Sequence, residues 1–284
     1  MAKTQDLKRR IRSVRNTMQL TRAMKMVAAS KLRRAQERIL KARPYARRML
    51  RVLRSVAARA ESDQHPLLKV RGDRRLQLTV LTGDRGLCGG FNAGIIRTAV
   101  DFAAQQAGCK IKINAVGKKG RDYFTGRYEL AGSWPDVFRS VEFSTAKTIA
   151  GELIQRYLDD EADRIYLVYN EFKSAIQAKP TVQQLLPVEP EDLEGVEPTG
   201  DYIYEPSAGE LFVELLPSYV ENQVFHAMLE SVAAEHAARM TAMDSATNNA
   251  SELIDSLTLT MNRIRQTSIT TEIIEVVSGA EALG

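Results

Sequence analysis

Apolar side chains recur through the first sixty residues in alternating steps of four and three. The line runs Leu7, Ile11, Val14, Met18, then Ala28, Leu32, Ala35, Ile39, Ala42, Ala46, Met49, Leu53, Val56 and Ala60. Thr21 and Lys25 are its two breaks. A seven-residue repeat held this long keeps one stripe turned to one partner, where the stripe of an ordinary surface helix would drift away. The segment therefore predicts a long helix in a left-handed coiled coil. At ~1.5 Å per residue, about 55 residues reach roughly 80 Å. Pro44 lies inside the run and removes a backbone donor, so a bend or the start of a second helix is expected there.

The other end of the chain has the same character. No Gly or Pro occurs from Ser218 to Ser278, and Gly279 follows where a helix C-cap favours it. Its seam reads Phe225, Met228, Val232, His236, Arg239, Met243, Ala246, Ala250, Leu253, Leu257, Thr260, Ile264, Thr267, Thr271 and Ile274. Small and hydroxyl-bearing residues thin this stripe, which lets helices approach closely. A lone helix cannot bury its own stripe, and burial supplies most helical stability. The two ends are expected to pair antiparallel.

Between them the period changes. Fifteen of the 17 glycines fall from Gly72 to Gly209. Strands are predicted at Leu76 to Thr82, Ile111 to Val116 and Arg164 to Tyr169, with helices at Ala93 to Gln106 and Lys147 to Leu158. This alternation predicts a mostly parallel sheet with helices on its faces. Thr181 to Val188 adds an edge strand, and Glu189 to Asp201 is an acidic, proline-containing loop. The fold class is α/β, with a Rossmann-like domain over 67–207 between coiled-coil helices over 1–66 and 208–284.

Composition is that of a soluble protein: 284 residues, 44% hydrophobic and 26% charged. Charge changes the picture more. Residues 1–60 hold 19 Lys and Arg against Asp6 and Glu37, a balance of +17 that leaves −12 for the rest. Such asymmetry points the first segment toward an acidic partner, whether nucleic acid, lipid surface or protein, or makes it a solvated helix face. No apolar run is long enough to span a membrane, and the basic N-terminus lacks the apolar core of a secretory signal, so direct membrane insertion is not expected. Cys88 and Cys109, with no C-x-x-C, read as reduced thiols.

Candidate chemistry is sparse. The loop Gly83-Asp84-Arg85-Gly86-Leu87-Cys88-Gly89-Gly90 follows a strand and precedes a helix, where α/β proteins cradle phosphates. It lacks both G-x-x-x-x-G-K-[ST] and the G-x-G-x-x-G spacing, and reads instead as a tight turn. His65, His226 and His236 do not complete a metal motif, Glu235-His236 lacking the second His of H-E-x-x-H. Met18, Met24, Met26, Met240 and Met243 read as core filler on the long helices. No catalytic, metal-ligating or cofactor-binding set is expected.

Several stretches carry more than periodicity. Ile11-Arg12-Ser13-Val14-Arg15-Asn16-Thr17 leads into Thr21-Arg22-Ala23-Met24-Lys25-Met26-Val27-Ala28-Ala29-Ser30-Lys31. Glu235-His236-Ala237-Ala238-Arg239-Met240-Thr241-Ala242-Met243 precedes Ala246-Thr247-Asn248-Asn249-Ala250. With Asp84-Arg85-Gly86-Leu87-Cys88-Gly89, Tyr204-Glu205-Pro206, Asn262-Arg263-Ile264-Arg265-Gln266 and Ser268-Ile269-Thr270, the chain resembles the γ subunits of F-type ATP synthases nearly end to end.

The resemblance implies a non-catalytic central stalk. Its helices would enter a ring of α and β subunits, its globular part would stand on the membrane c-ring beside ε, and proton-driven rotation would make the β sites produce ATP. It implies a peripheral position on the cytoplasmic side of the cell membrane. It further implies that Met24 and Lys25 meet the acidic lever of a β subunit, and that Arg265 and Gln266 form a catch against a β loop, where Arg donates forked, charge-assisted bonds. Arg239, and Tyr204 with Glu205, match positions that couple rotation to the c-ring and ε. The competing reading is a basic coiled-coil nucleic-acid binder using residues 1–60. Tyr45 is the one aromatic residue there, which disfavours single-strand recognition.

Overall fold

The computed structural model describes residues 2–57, 65–106, 108–174, 177–189 and 207–281. Tyr204, Glu205 and the acidic loop as far as Asp201, from Pro190 onward, lie outside the described residues. The chain divides into two compact units, residues 1–28 with 240–284, and residues 29–239. Two helices contribute to both units, α1 at Ala2–Ala57 and the C-terminal helix at Ala208–Glu281.

In α1 the heptad line is the buried line. Ile11, Thr21, Ala28, Leu32, Ala35, Ile39, Met49, Leu53 and Val56 are buried, while Leu20, Val27, Leu40 and Val52 between them are exposed. The helix runs on through Pro44, so the expected second helix does not begin there. Pro44 and Leu40, whose carbonyl loses its partner, both face solvent, and water can take the freed acceptor. The C-terminal helix likewise begins ahead of Pro217, at Ala208.

The larger unit contains the α/β domain: β1 (Arg75–Leu81), α2 (Phe91–Gln105), β2 (Lys110–Val116), α3 (Lys118–Phe124), β3 (Glu129–Trp134), α4 (Phe143–Leu158), β4 (Arg164–Phe172) and β5 (Ala178–Leu186). The C-terminal helix is then α5. The sheet order is β3-β2-β1-β4-β5, parallel except for the antiparallel pair of β4 with β5. Short α3 and the half-exposed edge strand β3 have no strong periodic signal and were not expected from sequence. Strand β5 contains Pro180, which the sheet tolerates because β5 is an edge.

The near-continuous apolar run of β1 reflects burial on both faces. One face joins Leu78, Val80, Ile113 and Val168 to Ile95 and Ala99 of α2 and Phe124 of α3. The opposite face carries Gln77 and Asn114, whose amides bond at 3.0 Å, and Arg156 of α4 donates to Asn114 Oδ1 at 2.5 Å. Helix α4 buries Ala146, Ile149, Ala150, Leu153 and Tyr157, an i, i+3, i+4, i+7 stripe. At the start of β1, Asp163 ties two strands together, accepting from the Arg74 and Arg75 amides at 3.0 and 2.9 Å and from Arg75 Nη2 at 2.6 Å.

Neighbouring positions on α1 test the seam. Leu53→Ala, at a side chain with 0% exposure, should lower stability by roughly 2–5 kcal/mol, whereas Val52→Ala should stay within about 0.5 kcal/mol of wild type. Urea unfolding followed by circular dichroism on both variants checks this, and equal losses would place the buried stripe elsewhere.

Candidate coupling surfaces and the loop that grips the C-terminal helix

In the smaller unit the two breaks in the α1 seam form a paired polar layer. Thr21 Oγ1 lies 2.8 Å from Thr247 Oγ1, and Lys25 Nζ lies 2.5 Å from Asp244 Oδ1. These contacts set α1 and α5 antiparallel. Lys25, expected to face an acidic partner, is thus already paired inside the chain. Both ends of that ion pair are partly solvated, so it contributes at most about 1 kcal/mol. Met24 beside it is half-buried, while Met26 and Val27 are exposed.

The buried stripe of α5 departs from the expected one. Met243 and Ala250 are buried, and Thr247, Ile254, Leu257, Met261, Ile264 and Ser268 are half-buried. Leu253, Thr260, Thr267, Thr271 and Ile274 are exposed instead. The pattern passes from Ala250 to Ile254 in a step of four, which puts Leu253 and Thr260 one position off the contact. Beyond Ser268 every described side chain is exposed, and the antiparallel pairing brings this region opposite the first residues of α1. Arg265 and Gln266 stand exposed at that transition, some 30 Å along α5 from Asp244 at ~1.5 Å per residue. The helix continues with Ile269, Ile273, Val276 and Val277 bare, an apolar stripe of the kind that marks an interaction surface.

In the larger unit the Gly83–Gly90 loop is organised from within. The Asp84 carboxylate accepts the amides of Lys118 at 3.0 Å, Asp136 at 2.9 Å and Phe138 at 3.1 Å. Asn92 Oδ1 accepts the Gly83 amide at 2.8 Å, and Asn92 Nδ2 donates to the Arg85 carbonyl at 3.3 Å. A Cβ at Gly83 would sit 3.0 Å from Glu235 Oε1, a tight contact from which the Glu235 carboxylate would have to shift. Arg239 of α5 donates to Glu235 Oε1 at 2.6 Å and to the Gly86 carbonyl at 3.2 Å. Cys88, Phe91 and Ala234 close an apolar cluster beneath them.

Burial dominates the electrostatics here. It lifts Glu235 above its ordinary value, with the charge and hydrogen bond of Arg239 holding that rise back. Burial also raises the Cys88 thiol, to which Glu235 adds, so Cys88 is an inert thiol rather than a nucleophile. His236 is pushed down to about 4 by burial and by Arg239 and Lys31, so its imidazole is neutral at pH 7. Among the described residues no three His, Cys, Asp or Glu side chains gather into a metal-binding group.

Residues 3–283 match the family described as ATP synthase. The chain is 48% identical to the ATP synthase gamma chain of Pelotomaculum thermopropionicum and 50% identical to that of Desulforamulus reducens, with all of each chain covered. The chain belongs to the ATP synthase gamma-chain family. Among solved structures it resembles the central stalk and c-ring structure of the Tetrahymena thermophila mitochondrial ATP synthase, at 28% identity and a TM-score of 0.61 over 80% of this chain and 99% of that one. It shares its fold with a chain of the Euglena gracilis mitochondrial ATP synthase, at 20% identity and a TM-score of 0.69 over 99% of this chain and 95% of that one.

Within this gamma-chain fold, sequence reasoning singled out Arg239 but not its partners. The Glu235-x-x-x-Arg239 spacing was a readable i, i+4 pair. The Gly86 carbonyl and the Asp84 hub were not readable, since backbone atoms leave no trace in residue identity. No described helix is long and apolar enough to cross a membrane.

His236 generates a pH prediction. Its folded value near 4 lies below the ordinary 6.5 of histidine, so between these pH values the unfolded chain binds a proton the folded chain refuses. Stability present above pH 6.5 is lost as pH falls toward 4, by on the order of 2 kcal/mol after allowance for partial exposure. Glu235 acts oppositely, its raised value favouring the fold at low pH and costing stability as pH rises. The informative quantity is therefore the difference between wild type and His236→Gln, whose acid-side stability slope should be flatter in denaturant titrations at pH 4 to 7. Superimposable slopes would remove His236 from the account.

Proposed function

We propose that this chain is the central rotor stalk of a proton-translocating ATP synthase, a non-catalytic subunit that carries rotation to the sites where ATP is made. The observation that carries this reading is the match to gamma chains over the whole length of the sequence, long helices and α/β domain alike. The physical features agree with it. Helix α5 is continuous for 74 residues, is held by directional bonds near Arg239, and ends in a bare apolar stripe. Nothing in the family match supports the nucleic-acid alternative.

The partners in this reading are the α and β subunits of the catalytic hexamer, ε, and the c-ring, and the chain sits peripherally on the cytoplasmic side of the membrane. Met24 and Lys25 would meet an acidic β segment, and Arg265 with Gln266 would meet a β loop. Arg239, Tyr204 and Glu205 would serve coupling to the c-ring and ε. The Lys25–Asp244 pair adds a condition, because an acidic partner must share or displace Asp244. The three-part division at 66/67 and 207/208 serves the same reading, with the terminal segments as shaft and the middle as the footing.

Purified chain should hydrolyse no ATP, and should restore ATP-driven proton pumping when added to α, β and ε subunits and a membrane sector that lack it. Met24→Lys, which adds a second positive charge facing the acidic β segment, should leave the chain folded and lower the protons pumped per ATP hydrolysed about threefold or more, because an extra ion pair of up to about 1 kcal/mol favours one rotational setting over the others. Wild-type pumping in that variant would remove Met24 from the coupling surface. Rapid ATP hydrolysis by the isolated chain would overturn the stalk reading.

A further inference from the structure

The loop from Gly83 to Gly90 is fastened on two sides. On the sheet side, Asp84 accepts three amides from the segments that follow β2 and β3, and the Lys119 amide donates to the Gly83 carbonyl at 3.1 Å. On the helix side, Arg239 reaches the Gly86 carbonyl while Glu235 accepts from Arg239 and occupies the space a side chain at Gly83 would need. The side chains of Arg239 and Glu235 are only 14% and 5% exposed.

A pair of buried charges is a poor choice for stability alone, since an apolar pair of similar volume often stabilises as well or better. What the pair supplies is direction. Beside Val232, His236 and Met240, the α5 residues around it are Ala233, Ala234, Ala237 and Ala238, whose short side chains interlock weakly with whatever they touch. A helix can turn about its own axis against such a surface with little loss of contact. Hydrogen bonds weaken steeply once misaligned; the Arg239–Glu235 bond is largely shielded from water that would replace it, and it aims Arg239 at the Gly86 carbonyl, which lies at the surface. One turn earlier the same device recurs, with the Phe172 amide donating to Glu230 Oε2 at 2.9 Å and the Asn170 amide to Ser231 Oγ at 3.3 Å.

We propose that Glu235 is a positioning residue that holds Arg239 on the Gly86 carbonyl, making the 83–90 loop a latch that stops α5 slipping against the α/β domain under torque. The proposal rests on the rotor-stalk reading. Apolar contacts around Ala234 hold the helix to the domain, and the latch fixes its rotational setting.

The test uses the assembled ATP synthase in inverted membrane vesicles, with ATP hydrolysis and ATP-driven proton pumping measured in the same preparation. Glu235→Ala should lower protons pumped per ATP about threefold or more, the effect of losing one buried charged hydrogen bond, while the amount of chain in the vesicles stays near wild type. Glu235→Gln, which keeps an acceptor for Arg239, should recover at least about half of the loss. Adding Arg239→Ala to Glu235→Ala should cause no further fall, because both act through one latch. A wild-type pumping ratio in Glu235→Ala, or losses that multiply in the double variant, overturns the latch. If Glu235→Ala does not assemble, Arg239→Gln is read the same way, and wild-type coupling there overturns it. Absence of coupled pumping with the wild-type chain would instead sink the rotor-stalk reading, so the two failures are distinguishable.

Discussion

A helix of 56 residues with an apolar seam along one side cannot hide that seam by itself, and the rest of the structure follows from where the seam is covered. In the smaller unit the cover is α5, running antiparallel. Opposite the first residues of α1 the pairing runs out, and α5 beyond Ser268 has Ile269, Ile273 and Val276 in solvent. Apolar burial is non-directional and roughly proportional to area, so by itself it would tolerate several registers. The layer of Thr21 with Thr247 and Lys25 with Asp244 selects one, as a polar residue does in the core of a coiled coil.

In the larger unit the same division of labour appears between apolar adhesion and polar placement. The sheet stands on the usual α/β logic, with β1 buried on both faces and helices closing it. The turn after β1 then takes a backbone shape that Asp84, Asn92 and Gly83 enforce, and it meets α5 through Glu235 and Arg239. That position, after a parallel strand and before a helix, is where many α/β proteins hold a phosphate. Here the Gly83 amide is taken by Asn92 of α2, which fixes the loop from within, and the Gly86 carbonyl by Arg239, which joins the loop to α5.

Much of this was legible in the sequence because periodicity is a local property. Every α1 seam residue from Leu7 to Val56 is buried or half-buried, including the two polar breaks. The strands β1, β2, β4 and β5 fall within a few residues of their expected places, while β3 and α3 were invisible because a short, half-exposed edge element carries no strong pattern. The expected α5 seam was, for a different reason, one position early at Leu253, Thr260 and Thr267, though Leu257 and Ile264 do lie on the contact. Its contact residues are small or hydroxyl-bearing, apolar residues such as Leu253 and Leu259 also lie off the contact, and the pattern alone cannot choose between adjacent phases.

The sequence by itself determined that two long helices flank an α/β domain, that α1 presents one continuous stripe, and that the chain matches one family from end to end. Only the tertiary structure decided the phase of α5, the internal pairing of Lys25, the passage of α1 through Pro44, and the grip of the 83–90 loop on Arg239. Two of the latter depend on an atom contributed from far away in the chain, Asp244 for Lys25 and Gly86 for Arg239, and the passage through Pro44 depends on an exposed helix face. Repeat spacing records what a segment can bury. It does not record which partner, in which rotational setting, arrives to cover it.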